Sequence, residues 1–412
     1  MKCGQVAVLK SYFTLPERVA LHKMSHFVTP ITRYFRSITR LFFAVGIIVS
    51  VSVLVRASTQ IEEPKPYAKC WSIDSLADLS TSGAADKISV YFFAADGALE
   101  AVDQKSGARL WSTDLGGSVV SNLLLTDQSA LFVTAGRSES GSSGKATLRS
   151  VSKQTGITTW STAIQVKDST TLGIVGDKVA AVNTDGLVSV FSLANGSLNW
   201  SQPIGTRVVA PPLFATDHLI LGTGGNELLA VDMMRGVTSR MLRTGQSPTA
   251  IFVDAAGRIL VGDARGNLAL TSADGDRVWT FKNGAQISFL LPYDSEYLAA
   301  SFDNFLYKIS RGGNVEWKRR LSGRLSSRPA IIGNDGVISI TGDPSVYVLD
   351  LTNGKIVNRI DIGGDENLSP RIVAAAAGGF AVAGSQGIQF FGREACGPNE
   401  KDGNKVPSGS GK

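Results

Sequence analysis

The sequence predicts an all-β protein: an eight-bladed β-propeller of four-stranded antiparallel blades, closed by pairing of its N- and C-terminal strands. Three observations carry this expectation. A Gly-x-x-x-Trp spacing recurs about every forty residues. Turn-forming pairs stand about ten residues ahead of five of the seven repeat glycines. The repeat region opens on a lone fourth strand and finishes on three strands that lack one. A period near forty with Gly-rich turns is that of a propeller blade, and helical repeats of that length would need a 3.6-residue apolar period.

The unit is clearest at 91–111, YFFAADGALEAVDQKSGARLW, which reads as strand, turn, strand, turn, strand ending in Trp. Gly107/Trp111 is repeated at Gly156/Trp160, Gly196/Trp200, Gly275/Trp279 and Gly313/Trp317. Gly236 and Gly354 keep the glycine, with Arg240 and Asn358 in the place of Trp. The series 111, 160, 200, 240, 279, 317 and 358 is spaced by 38 to 49 residues, and Trp71 stands 40 before Trp111 as its eighth member. Asp96-Gly97, Asp185-Gly186, Gly225-Asn226, Arg265-Gly266 and Asp303-Asn304 supply the positive dihedrals of two-residue hairpins. Trp71, Trp111, Trp160, Trp200, Trp279 and Trp317 are expected as docking plates between blades, each indole N–H reaching a backbone acceptor.

The chain divides into an N-terminal segment 1–57, a polar linker 58–68, the propeller 69–396 and a polar tail 397–412 expected to be disordered. Residues 1–57 carry eight Lys/Arg against Glu17, so the remaining residues have a net charge near −1 and the sequence pI of 9.2 does not argue for nucleic-acid binding by the body. Residues 41–55, LFFAVGIIVSVSVLV, follow Arg33, Arg36 and Arg40, which is the pattern of an export signal cleaved after Ala57 or of an uncleaved membrane anchor. Either places the propeller outside the cytoplasm, in the periplasm where the cell has an outer membrane. Met24 is an alternative start. No Cys follows the apolar run where a lipoprotein signal needs one, so lipid anchoring is not expected.

Within the body, the copy before Trp160 is nine residues longer than the others, with the surplus in 137–145, RSESGSSGK. After Asn358 come three strands, 369–377, 380–384 and 388–391, whose missing fourth strand is the orphan at Trp71. Closure removes two raw sheet edges. It also brings together Cys70 and Cys396, two of the three cysteines, and predicts their disulfide in an oxidising compartment.

Chemistry is sparse. His22, His26 and His218 are the three histidines, and two of them precede the propeller, so the body offers neither a His pair for a metal nor a shared Ser-His-Asp set. Gly222–Asn226 lacks the Lys-Ser/Thr and helix of a phosphate loop and reads as a hairpin turn. No catalytic, cofactor or metal residue is assigned. Lys308, Arg311, Lys318, Arg319, Arg320, Arg324 and Arg328 fall within half a repeat. They read as a charge-protected blade edge or, chiefly through Lys318, Arg319, Arg320, Arg324 and Arg328, as a contact for an acidic partner or anionic headgroups.

The strand-Asp-Gly-x-x-x-Ala-Val-Asp-x-x-x-Gly-x-x-x-Trp pattern, best at Ala101-Val102-Asp103 through Trp111, resembles the PQQ-like propeller repeat over roughly 70–392. No Trp here is followed by Asp and no Gly-His pair opens a blade, which separates it from WD repeats. Eight blades, this length and an export signal are similar to the BamB-type propellers of outer-membrane β-barrel assembly. That resemblance implies a monomeric, non-enzymatic scaffold without cofactor that docks on the barrel-insertion protein. Quinoprotein dehydrogenases share eight Trp-docked blades, but their adjacent Cys-Cys pair is absent. An extracytoplasmic sensor or ligand-binding propeller is the other alternative.

Overall fold

The structure is a computed structural model that describes residues 65–74, 83–136, 146–215, 217–363, 369–375 and 378–393. The chain divides into two units, Met1–Pro64 and Lys65–Lys412, and every described residue lies in the second. The N-terminal segment, the 137–145 loop, Cys396 and the tail therefore lie outside the described residues.

Eight antiparallel sheets account for the described strands. Blade 1 spans residues 84–114, blade 2 118–164, blade 3 170–203, blade 4 213–243, blade 5 248–282, blade 6 287–320 and blade 7 330–361. Blade 8 joins Arg371–Ala374, Phe380–Gly384 and Gly387–Gly392 to Ala68–Ile73 from the other end of the chain. The inner strand of blade 2 is split into Ser118–Val119 and Leu124–Leu125, both paired with Ser129–Ala135. Among the described residues there is no helix, and so none long and apolar enough to cross a membrane.

The second and third strands of each blade carry aliphatic and aromatic side chains on both faces, because a neighbouring blade lies on each side. Ser89–Phe93 is buried throughout, whereas the outer strand Arg109–Asp114 is mostly exposed. Each of the eight junctions holds its own apolar cluster. The one at the seam packs Val90, Phe92 and Val102 of blade 1 against Val373, Ile388 and Phe390 of blade 8. The ring therefore closes by the same packing that joins its other blades.

The hairpins between second and third strands depart from the two-residue form. Only the last turn residue has a positive φ: Gly97 (91°), Gly186 (95°), Asn226 (58°), Gly266 (80°) and Asn304 (65°). Gly97 N–H donates to the Ala94 carbonyl at 3.0 Å, and Ala94 pairs onward with Ala98. This is a three-residue loop, a type I turn followed by a left-handed residue. The Asp side chain supplies the rest, as Asp96 Oδ1 accepts from Ala98 N–H at 3.1 Å.

Candidate functional site

The repeat Gly and Trp act on each other across blades. In six junctions the indole Nε1 donates to a carbonyl in the next blade's outer turn, at 2.7–3.2 Å: Trp71 to Gln104, Trp111 to Lys153, Trp160 to Leu193, Trp200 to Met233, Trp279 to Arg311 and Trp317 to Leu351. The same ring covers that turn's glycine. A methyl group on Gly107, Gly156, Gly196, Gly236, Gly313 or Gly354 would come within 2.3–3.2 Å of it. All six glycines also have φ between 68° and 85°. Each is thus fixed by two independent demands, a left-handed turn and the plate lying on it. Thr113 and Thr162 add hydroxyl bonds to the Gly156 and Gly196 carbonyls at 2.6 and 2.7 Å.

Two junctions differ. In blade 4 the outer-strand bulge comes two residues late, which shifts the pairing of the Trp position by one residue. Elsewhere it immediately precedes the Trp position, as between Ala101↔Trp111 and Val102↔Arg109. Here Ala230 pairs with Ser239, Leu229 with Arg240 and Leu228 with Leu242, so the irregular residue is Met241. A one-residue slip exchanges the two faces of a strand. Arg240 therefore turns back onto its own blade, where Nε donates to Glu227 Oε2 at 2.7 Å. A methyl group on Gly275 would meet nothing nearer than Leu242 Cδ1 at 3.9 Å.

At the junction of blades 7 and 8 the chain has no outer turn to cap, since that blade's outer strand comes from the other end. Asn358 Nδ2 donates to the Tyr67 carbonyl at 3.3 Å. Tyr67 is buried, its hydroxyl donates to Asp335 Oδ2 at 2.9 Å, and Arg393 pairs with the same carboxylate at 2.7 Å while lying over the Tyr67 ring. Burial, then the hydrogen bond to Asp335, push the Tyr67 hydroxyl well above its ordinary pKa. Tyr67, Asp335 and Arg393 fall outside the repeat pattern, so periodicity alone gives no signal for them.

The basic run is divided by the structure. Lys308 is paired with Glu296 at 2.7 Å, and Arg311 Nε donates to the Ser295 carbonyl at 2.7 Å. Arg319 shares the Trp317 face and donates to the Gly354 carbonyl of blade 7. Lys318 and Arg320 lie on the opposite face of Val315–Arg320 and are exposed, with Lys318 over the Phe305 ring at 5.6 Å. Arg324 covers Phe302 at 4.4 Å. Arg328 stands in an excursion of the inner chain, which bridges at Leu325↔Ile340 and rejoins the sheet at Ala330. Arg328 is exposed, yet desolvation by the surrounding protein holds its pKa below the ordinary value.

His218 pairs with its neighbour Asp217, and among the described residues no three His, Cys, Asp or Glu gather as metal ligands. Two clefts open between blades. One of about 790 Å³ lies between blades 2 and 3, lined by Ala163, Lys167, Asp185 and Ser201 among others. The other, about 670 Å³, lies between blades 4 and 5 and reaches Gly275.

The ring of four-stranded blades, locked at six junctions by a Trp on the next blade's Gly, defines a propeller of the PQQ-like repeat class. A family profile described as outer membrane protein assembly factor BamB matches residues 68–281 and 264–409, and the chain belongs to that family. The chain is 26% identical to outer membrane protein assembly factor BamB of Yersinia pestis over 311 residues, which are 69% of this chain and 77% of that protein. The crystal structure of BamB from Moraxella catarrhalis superposes with a TM-score of 0.61 at 16% identity, covering 79% of this chain and 99% of that one. The C-terminal WD40 domain of Sif2 superposes at 0.66 with 10% identity, over 79% of this chain and 98% of that one. Likenesses at these identities show the fold alone.

Proposed function

We propose that this protein is an exported, non-enzymatic scaffold of the cell envelope that acts in the assembly of outer-membrane β-barrel proteins by binding a protein component of the assembly machinery. The observation that carries this reading is the family match, which runs from Ala68 in the first strand through the whole ring. On this reading residues 1–57 export or tether the chain, the propeller works as a monomeric ring without cofactor, and the exposed cations Lys318, Arg320, Arg324 and Arg328 form a contact for an acidic partner surface. Arg319 serves that surface indirectly, by fixing its strand to blade 7.

A Cys70–Cys396 disulfide belongs to the same proposal. What supports it is the place of Cys70 in the bulge of the closing strand, between Lys69↔Phe391 and Trp71↔Phe390, beside the strand that precedes Cys396 in the chain. The test is capture of the tagged full-length protein from its native envelope, with the barrel-insertion subunit measured in the eluate. Recovery of that subunit, reduced several-fold by Lys318→Glu with Arg320→Glu, is the expected result. Recovery of the protein alone from a soluble fraction overturns the assembly reading.

A further inference from the structure

The junction between blades 4 and 5 combines three features. It lacks the indole plate, because the late bulge at Met241 turns Arg240 away toward Glu227. Its cleft consequently extends along the outer strands as far as Gly275, whereas the comparable cleft between blades 2 and 3 stops short of Gly196, which lies under the Trp160 ring. Finally, its rim is basic. Arg243 comes from the outer strand of blade 4, and Arg277 and Lys282 from the two ends of the outer strand of blade 5. All three are exposed, and no described carboxylate lies within 4.0 Å of any of them.

The interior of the cleft differs from its rim. Leu242, Val261 and Ala269 give it apolar surface. Asp263 is the acid in the lining, and its carboxylate is already engaged by Arg265 N–H, Asn267 N–H and Asn267 Nδ2 at 2.7–2.9 Å. A concave site of a few hundred Å³ with apolar walls and a few convergent charges suits a small ligand. Three cations without counter-ions favour an anion, and the guanidinium groups favour carboxylate, sulfonate or phosphate oxygens.

We propose that the cleft between blades 4 and 5 is a binding site for a small amphipathic organic anion. Its apolar body occupies the space that a Trp ring fills in six other junctions, and its acidic group is held at one end of the cleft by Arg243 and Lys282, the last residues of the two outer strands. The site lies on different blades from the cations assigned above to the protein partner, so the two surfaces can be occupied independently.

The test is a fluorescence titration of the intact protein with 8-anilinonaphthalene-1-sulfonate, an aromatic sulfonate that brightens in apolar sites. The expected result is one saturable site. Arg243→Ala with Lys282→Ala should weaken it at least about 10-fold, as should Thr280→Trp, which fills the cleft from its exposed wall. Lys167→Ala and Ser201→Trp, the corresponding changes between blades 2 and 3, should leave it within about 2-fold. Each variant is accepted only with a thermal midpoint near that of the parent, and Lys282→Ala alone replaces any variant that fails this. Saturable binding that ignores the cleft substitutions, or that responds equally to both clefts, overturns the proposal, and so does the absence of saturation.

Discussion

At the scale of single residues, the repeat glycines separate two effects that usually come together. Gly196 and Gly275 occupy the same position in the repeat, with φ of 71° and 91°. Alanine at either pays the left-handed backbone cost of about 1–2 kcal/mol. At Gly196 the new methyl would also stand 2.3 Å from Trp160 Cε3, while at Gly275 the nearest atom is 3.9 Å away. Gly275→Ala should therefore lower the unfolding midpoint slightly, and Gly196→Ala should cost at least about 2 kcal/mol more, by displacing the ring. Equal losses in chemical denaturation would show that the plate does not press on the turn. Asp86 gives a second case. Burial opposes its ionisation, but Lys153 at 2.8 Å and the N–H groups of Ile88 and Ser89 outweigh this and hold its pKa below the ordinary value. A depressed carboxylate contributes stability that is complete above its unfolded pKa of about 4 and is lost as pH falls toward its lower folded value. The advantage of the parent over Asp86→Asn should be present at neutral pH and shrink steadily below about pH 4. A gap that stays constant with pH would place the effect elsewhere.

At the scale of strands, the outer strand Val315–Arg320 carries two kinds of cation in alternation. Arg319 shares the Trp317 side and donates to the Gly354 carbonyl, whereas Lys318 and Arg320 face away. Arg319→Ala should cost about 1–2 kcal/mol, since a charged donor to a neighbouring blade is lost. Lys318→Ala and Arg320→Ala should stay within about 0.5 kcal/mol in the same denaturation experiment. A loss at Arg320 as large as at Arg319 would contradict the assignment of faces. Much at this scale was legible from sequence, because periodicity reports what is repeated. The six Trp positions, the repeat glycines and the third-to-fourth strand turn all follow from spacing. The blade 4 bulge was not legible. Arg240 keeps the spacing of its series, and the slip to Met241 depends on which strand face finds a partner. The hairpins were half legible, since Asp-Gly announces a turn without distinguishing a two-residue loop from the three-residue form that places only Gly97 at positive φ. The basic run was legible as composition and misleading as a unit. Lys308, Arg311 and Arg319 are each occupied within the fold, while Arg243, Arg277 and Lys282 lie outside the run, on the two preceding blades, and carry the charge of the open cleft.

At the scale of the whole ring, closure rests on chain ends rather than on a covalent turn. The strand Ala68–Ile73 pairs with Gly387–Gly392, so the packing of blade 8 against both neighbours depends on a segment more than 300 residues away in sequence. Two devices hold that segment. One is the Tyr67–Asp335–Arg393 set, in which one carboxylate of blade 7 takes a hydroxyl from the N-terminal side and a guanidinium from the C-terminal side. The other is the proposed Cys70–Cys396 bond, whose loop of over 300 residues would contribute about 5–6 kcal/mol in the chain-entropy model, an upper figure. If both act on the same seam, their losses should not be independent. Reduction of the parent, Cys70→Ser and Cys396→Ser should each lower the thermal midpoint by the same amount, and the double cysteine variant by no more than either single one. Tyr67→Phe should cost little while the disulfide holds the ends together and distinctly more once it is reduced, because the strand can then leave the sheet as a unit. A Tyr67→Phe penalty that is unchanged by reduction would mean that the ring opens elsewhere first, and the junction of blades 4 and 5, without its Trp, would be the place to look.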